Sequence, residues 1–462
     1  MDLALAGRLL LCDLAARRRE RWSPQRIAGF QAKRLQQLRR FAQDRSLFYK
    51  RLHKGFENRP LSELPILTKR LLMDGYDDIV TDRAIRLADV RHHLESDPAE
   101  PLYRGRYQVC ATSGTSGQPG VFLYDPKEWA WVLASYARAN RLAGVTAGLL
   151  HGLRIAMVGS SRRWHQSSAV AESLDSSWFP SLRLAATDPV ADICRELTAW
   201  KPQLLITYAA ISGVLADEQL AGRLDIAPSA VMCVAETLTS ATRAKVREAW
   251  GAEPFENYAS TEAACVAAEC RRHTGLHLFD DFLVTEVVDE SNRPVPPGTM
   301  GAKALVSVLF SRTLPLIRYE LDDATMLASG DCGCGLPFRR LTRIGGRIAE
   351  TLRIPRPDGT TAVLHPTHFE DVIGLTDVRR WQVLRRHDGL HVRLVAPVSD
   401  TSLHRVEAGL RQLGQSLDVG HLSVTLEVVD DIERTASGKM ILVQDATTAP
   451  PSKASGGTQQ AR

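Results

Sequence analysis

Residues Ala111–Gly120 read ATSGTSGQPG and follow directly on YRGRYQVC, Tyr103–Cys110. Three glycines, two serines, two threonines and a proline crowd into ten positions. Such a stretch serves either as a surface linker or as a loop that wraps a phosphate chain. It is not the common nucleotide loop, which needs G-x-x-x-x-G-K-[ST]; no lysine follows Gly117. Glycine does allow positive φ and close backbone approach. Successive N–H groups can form an anion nest, to which Thr112, Ser113, Thr115 and Ser116 add hydroxyls.

On either side of this loop the pattern predicts an α/β fold. Upstream, the first 80 residues or so read as helical, and Ser23 caps a helix with Pro24 in its first turn. Leu3, Leu5, Leu9, Leu10, Leu14 and Ala15 are spaced as one apolar helical face. Downstream, LRIAMVG (Leu153–Gly159), LLITY (Leu204–Tyr208) and AVMCVAE (Ala230–Glu236) are short apolar runs. Helical periods such as VADICRELTAW separate them, as in a largely parallel buried sheet. FLVTEVVD and AKALVSVLF, flanking the turn-rich ESNRPVPPGTMG, predict an antiparallel, barrel-like region.

RIGGR (Arg343–Arg347) reads as a glycine break. The expected organisation has three parts. A large N-terminal domain of β-sheets flanked by helices, with the barrel-like region, covers 1–346. A small mobile α+β domain covers 347–445. The segment 446–462, rich in Pro, Gly, Ser and Thr, reads as a disordered tail.

The composition narrows the function classes. The chain has 462 residues, 44% of them hydrophobic, and a net charge of +5. It has no concentrated Lys/Arg run, so a nucleic-acid partner is not expected, while an anionic small substrate fits. No run of 18 apolar residues exists, so no membrane partner is expected. Arginines follow the first apolar run rather than preceding it, the wrong order for a signal peptide. Eight scattered cysteines agree with a reduced, cytoplasmic setting.

Three more segments carry chemistry. ENYASTEAA offers Tyr258, Thr261 and Glu262, a ring for a base and a carboxylate for Mg²⁺. LPLIRYELDD ends on an acid able to accept from two ribose hydroxyls. Asp322 and Asp323 compete for that role. ERTASGKM places Lys439 on a glycine turn, where a cation can meet a developing negative charge. Each also has an ordinary reading: Glu262 as a helix-start acid, Asp323 as a turn residue, Lys439 as a solvated lysine.

Cys270, His273 and His277 in ECRRHTGLHLF, with Cys332 and Cys334 in GDCGCG, could supply a tetrahedral Cys₃His zinc site. Cys270, His277, Cys332 and Cys334 are the preferred set and His273 the spare. Buried cysteines and surface histidines are the alternative.

Taken in order, these motifs resemble those of the acyl-adenylate-forming superfamily. TSGTSGQP resembles its T-S-G-T-[ST]-G-x-P, NYASTE its Y-G-x-T-E, IRYELDD its Y-R-x-x-D, and RTASGK its R-T-x-x-G-K. The N-terminal LQQLRRFAQDRSLFYKRL…LSELPILTKRLLMD is similar to the phenylacetate–coenzyme A ligase branch.

The resemblance implies ATP-dependent activation of a carboxylic acid as acyl-AMP, followed by thioester formation with coenzyme A. An aryl or arylacetic acid is the family-level expectation, and a homodimer is allowed. Thr112, Ser113, Gly114, Thr115, Ser116 and Gly117 would cradle the phosphates. Glu262 would hold Mg²⁺. Ala235, Glu236, Asn257 and Tyr258 would line the adenine pocket beside Thr261, and Asp323 would hold the ribose. Lys439 would bridge carboxylate and α-phosphate, and Arg347 would approach ribose or phosphate. Trp164, His165, Tyr208 and Ala210 are expected to line the acyl pocket.

Some residues depart from the family pattern. Ala349 stands where an acid is usual, Ala259 where glycine is usual, and Glu320 where arginine is common. A glycine-rich coenzyme A segment is missing from the C-terminal region. A carrier protein or an amine as acyl acceptor, or a silent nucleotide-binding protein, are the rival readings.

Overall fold

The computed structural model describes residues 3–96, 101–112, 119–145, 152–347, 350–374, 376–420, 422–435 and 438–447. The glycine-rich Ser113–Gly117 and the tail from 448 lie outside them.

A nine-stranded sheet organises the larger unit. Five strands run parallel, in the spatial order Ser181–Ala185, Ile155–Gly159, Leu204–Tyr208, Ala230–Val234 and Phe255–Ser260. The helices Gln166–Leu174, Val190–Trp200, Ala209–Leu220 and Ser240–Trp250 connect them. The three inner strands Ile155–Gly159, Leu204–Tyr208 and Ala230–Val234 show no apolar–polar alternation because both faces of a parallel sheet are covered. Beyond Phe255–Ser260 the sheet turns antiparallel through Ala264–Glu269, Leu276–Leu278 and Arg340–Arg347, ending on Asp323–Leu327. RIGGR, read as a break, is therefore the end of a strand.

The segment expected to be barrel-like forms a three-stranded antiparallel sheet of Leu283–Val288, Lys303–Val308 and Tyr319–Leu321. Gln108–Ala111 and Val121–Tyr124 pair antiparallel and bracket the glycine-rich loop.

Helices occupy the N-terminal part and continue past residue 80 to Leu87–Glu95. Ser23 accepts from Arg26 N, as an N-cap should. The first helix, Leu3–Arg19, departs from expectation. Leu3, Leu10 and Leu14 are exposed, and the buried positions are Asp13 and Ala16. Charge orients this helix. Arg141 Nη1 lies 2.7 Å from Asp13 Oδ1, and Arg138, fully buried, binds both oxygens of Asp281 and reaches Glu20. Both arginines sit on the helix Pro126–Leu142, which starts with a capping box of Asp125 and Glu128.

By compactness the chain divides into Met1–Gly345 with Arg434–Lys439, and Gly346–Glu433 with Met440–Arg462. The second unit has a four-stranded sheet, built on the pair Trp381–Arg386 and Gly389–Val395, with helices Pro366–Ile373 and Asp400–Ser416. Gly346 has φ +93°, and an added Cβ would meet Pro366 Cγ at 2.8 Å, so this entry position needs glycine.

Candidate active site

In an open parallel sheet, ligands bind beyond the carboxyl ends of the strands. Here those ends carry most of the residues singled out above. Trp164 and His165 follow Ile155–Gly159, Tyr208 ends Leu204–Tyr208 with Ala210 in the first turn of the next helix, Ala235 and Glu236 follow Ala230–Val234, and Thr261 and Glu262 follow Phe255–Ser260.

Each residue has a definite local setting. Ala235 adopts φ +65°, a conformation that L-residues rarely take, and turns the chain into Glu236. Glu236 Oε2 accepts from Ala210 N at 2.9 Å. Tyr258 donates to Asp323 Oδ2 at 2.8 Å, so Asp323 rather than Asp322 stands beside the tyrosine. Asn257 is buried with its Oδ1 unsatisfied, an acceptor available to an amino group such as that of adenine.

His165 starts the helix Gln166–Leu174 and has a buried, unpaired Nε2. Burial, reinforced by Lys439 and Arg162, pushes its pKa down to about 4, so the imidazole is neutral at physiological pH. Trp164 O accepts from Ala111 N, tying this loop to the strand before the glycine-rich segment. Thr112 sits at the neck of that segment: its N donates to Gly120 O, and its Oγ1 accepts from Gly120 N at 2.8 Å.

Lys439 belongs with the larger unit. Its Nζ lies 5.5 Å from the centre of the Tyr208 ring, within cation–π range. The turn beneath it closes through Thr435, whose Oγ1 accepts from Lys439 N and whose carbonyl accepts from Gly438 N. Gly438 has φ +83° and leaves no room for a Cβ, which would stand 2.7 Å from Ala186 Cβ. Burial and the Glu236 carboxylate push the Tyr208 phenol up to about 12.

Three residues not singled out in the sequence hold the Thr261–Glu262 turn. Tyr319 donates to Glu262 Oε1 at 3.3 Å. Tyr124 donates to Thr261 O at 2.6 Å, and Gln166 Nε2 to the same oxygen at 3.1 Å. Tyr319 lies inside IRYELDD, so its motif pointed to it. Nothing in sequence marks Tyr124 or Gln166, because their partners are 137 and 95 residues away. Arg347 ends the strand Arg340–Arg347, and of its side chain nothing is described. Ser113, Gly114, Thr115, Ser116 and Gly117 lie outside the described residues.

A second cluster forms away from these strand ends. The ligand atoms of Cys270, His277, Cys332 and Cys334 all lie within 4.8 Å of one another. Cys270 Sγ is 3.5 Å from Cys332 Sγ, and Cys334 Sγ is 3.3 Å from His277 Nε2. A tetrahedral ion with Zn–S and Zn–N bonds of ordinary length needs edges of roughly 3.4–3.8 Å, so the set fits zinc. Gly333 and Gly335, each following a cysteine, have φ +71° and +85° and fold the knuckle. Burial pushes Cys270 up to about 12 and His277 down to about 4. Burial also raises Cys332, but hydrogen bonds with Thr274, Cys270 and Cys334 outweigh it and hold this thiol below its usual range. His273 is elsewhere: its Nδ1 is 3.3 Å from Glu269 Oε2, and its ring packs on Phe255.

This architecture has counterparts among known proteins. A phenylacetate–coenzyme A ligase from Thermus thermophilus is 25% identical over 384 residues, 79% of each chain. Another, from Aromatoleum evansii, is 26% identical over 278 residues, 58% of this chain and 59% of that one. A crystal structure of 2-hydroxyisobutyryl-CoA ligase, in the postadenylation state in complex with R3-HIB-AMP, matches with a TM-score of 0.73. It covers 93% of this chain and 92% of that one at 19% identity. No family model matches the chain. Fold and relatives together liken the chain to the acyl-adenylate-forming superfamily. Within that superfamily the similarity is to the phenylacetate–coenzyme A ligase-like branch.

Proposed function

We propose that this protein activates a carboxylic acid with ATP, forming acyl-AMP and pyrophosphate, and passes the acyl group to the thiol of coenzyme A. One observation carries the reading. Among the described residues, parts of three motifs far apart in sequence meet near the ends of the parallel strands: Tyr258 bonds Asp323, Tyr319 bonds Glu262, and Lys439 lies over the Tyr208 ring; the curated relatives are coenzyme A ligases.

The chemistry asks the protein mainly to position groups and neutralise charge. Asn257 Oδ1 accepts from the adenine amino group, and the Tyr258 ring packs against the base. Asp323, oriented by Tyr258, accepts from the ribose hydroxyls. Lys439 stabilises the charge shared by the attacking carboxylate and the α-phosphate. Neutral His165 adds no positive charge beside it and borders the acyl pocket with Trp164, Tyr208 and Ala210. Glu262, fixed by Tyr319, is the residue to hold Mg²⁺, which when bound would neutralise phosphate charge. Cys270, His277, Cys332 and Cys334 form a structural zinc site with all four positions filled by protein.

A pyrophosphate-release screen of aryl, arylacetic and short hydroxy acids tests the reading. The expected result is release that depends on one acid class, and thioester when coenzyme A is added. Turnover confined to a carrier protein or amine would replace the acceptor. ATP binding with no acid-dependent release would overturn the enzyme assignment.

A further inference from the structure

The first helix turns the wrong face to water for a soluble protein. Leu3, Leu10, Leu11 and Leu14 are 89, 59, 69 and 53% exposed. With Gly7 they follow the spacing i, i+4, i+7, i+8 and i+11, a single stripe along the helix. The opposite face is committed, because Asp13 and Ala16 are buried and Asp13 is paired to Arg17 and Arg141.

The charge around the stripe has one sign. Arg8, Arg17 and Arg18 are exposed on the same helix, and its single acid, Asp13, is buried. Arg21, Arg26, Lys33 and Arg40 extend the exposed basic surface. Residues 1–54 hold fourteen Lys and Arg against four Asp and Glu, a net +10, while the whole chain carries +5. The remainder is therefore net −5, and the basic charge is concentrated in the N-terminal segment that carries the leucine helix.

This combination selects the occupant. A second copy of the helix would cover the leucines but bring arginines of like charge together. A nucleic acid would satisfy the arginines and leave the leucines in water. An anionic bilayer surface meets both needs: leucines enter the headgroup–acyl boundary while arginines stay with the headgroups. Among the described residues no helix is long and apolar enough to cross a membrane, so the contact is in-plane. We propose that Leu3–Arg19 is an interfacial anchor that docks this protein on an anionic lipid surface.

The test is flotation of the full chain with phosphatidylcholine vesicles, with and without phosphatidylglycerol, over a salt series. Binding is expected to the anionic vesicles, weakening with salt, and about tenfold weaker to neutral ones. Leu10→Gln/Leu14→Gln should weaken it by about tenfold, and Arg8→Gln/Arg18→Gln should flatten the salt dependence. All four side chains are exposed, so melting curves and pyrophosphate release should be unchanged. No flotation with anionic vesicles would overturn the proposal, as would leucine variants that float as well as the parent. So would a dimer, measured by light scattering, that the leucine variant splits.

Discussion

Tyr258 and Asp323 are 65 residues apart in sequence and joined by a 2.8 Å hydrogen bond from the phenol to Oδ2. The bond fixes the carboxylate that is proposed to receive the ribose. Tyr258→Phe should raise the KM for ATP by about tenfold, the loss of one charge-assisted hydrogen bond, with a smaller effect on kcat. Asp323→Asn should do more, and Asp322→Asn little. Steady-state kinetics of pyrophosphate release separate the three. An Asp322→Asn defect exceeding that of Asp323→Asn would move the ribose site by one residue.

Lys439→Ala should reduce acyl-AMP formation by about 10², on the order of 3 kcal/mol in the transition state, with ATP binding within severalfold. Gly438→Ala should mimic it, because the turn cannot take a Cβ against Ala186 at φ +83°. Thioester formation from supplied acyl-AMP is expected to suffer less. Near-normal adenylation by Lys439→Ala would remove this lysine from the chemistry.

Glu262→Gln keeps the size of the side chain and loses the charge that a hard cation prefers. Adenylation should fall steeply and its Mg²⁺ requirement rise, while AMP binding changes little. Tyr319→Phe removes one hydrogen bond to the carboxylate and should give a milder form of the same shift. A Mg²⁺ titration at saturating ATP reads both. An unchanged curve with a lower melting point would leave Glu262 a structural acid.

Protein purified without chelator should contain about one zinc per chain. Replacing Cys332 and Cys334 with serine should remove it and lower the melting temperature, since metal binding is linked to folding. Elemental analysis finding no zinc in well-folded, active protein would end the assignment.

Glu128 gives a pH signature. Burial, with Asp125 nearby, raises its carboxyl to about 7, although Thr313 N and two further backbone N–H groups donate to it. A carboxyl whose folded pKa lies above its unfolded value binds its proton more tightly when folded. Its contribution to stability is therefore full below the unfolded pKa of about 4.3 and lost as pH rises through about 7. The span is at most roughly 4 kcal/mol. Urea titrations from pH 4.5 to 7.5 should show Glu128→Gln with a flatter profile than the parent. Parallel profiles would mean that the carboxyl is ionised throughout.

Local pattern was enough to establish the alternation of parallel strands and helices, the small α+β unit, and the motif residues themselves. Short apolar runs bounded by turn residues leave few other ways to bury their side chains. Ser23 and Pro24 act within one turn, so that cap is readable from spacing alone. Tertiary structure decided what depends on distant partners. That Tyr258 pairs with Asp323 and not Asp322, and that Tyr319, Tyr124 and Gln166 hold the Thr261–Glu262 turn, depends on the fold. His273 could be dropped from the metal set only once Glu269 and Phe255 were seen to hold it. The first helix makes the same point. Its leucine period is plain in the sequence, but which face turns inward was set by Arg138 and Arg141, more than a hundred residues away. Periodicity defines a stripe on a helix; only the surface packed against it determines whether that stripe meets protein or water.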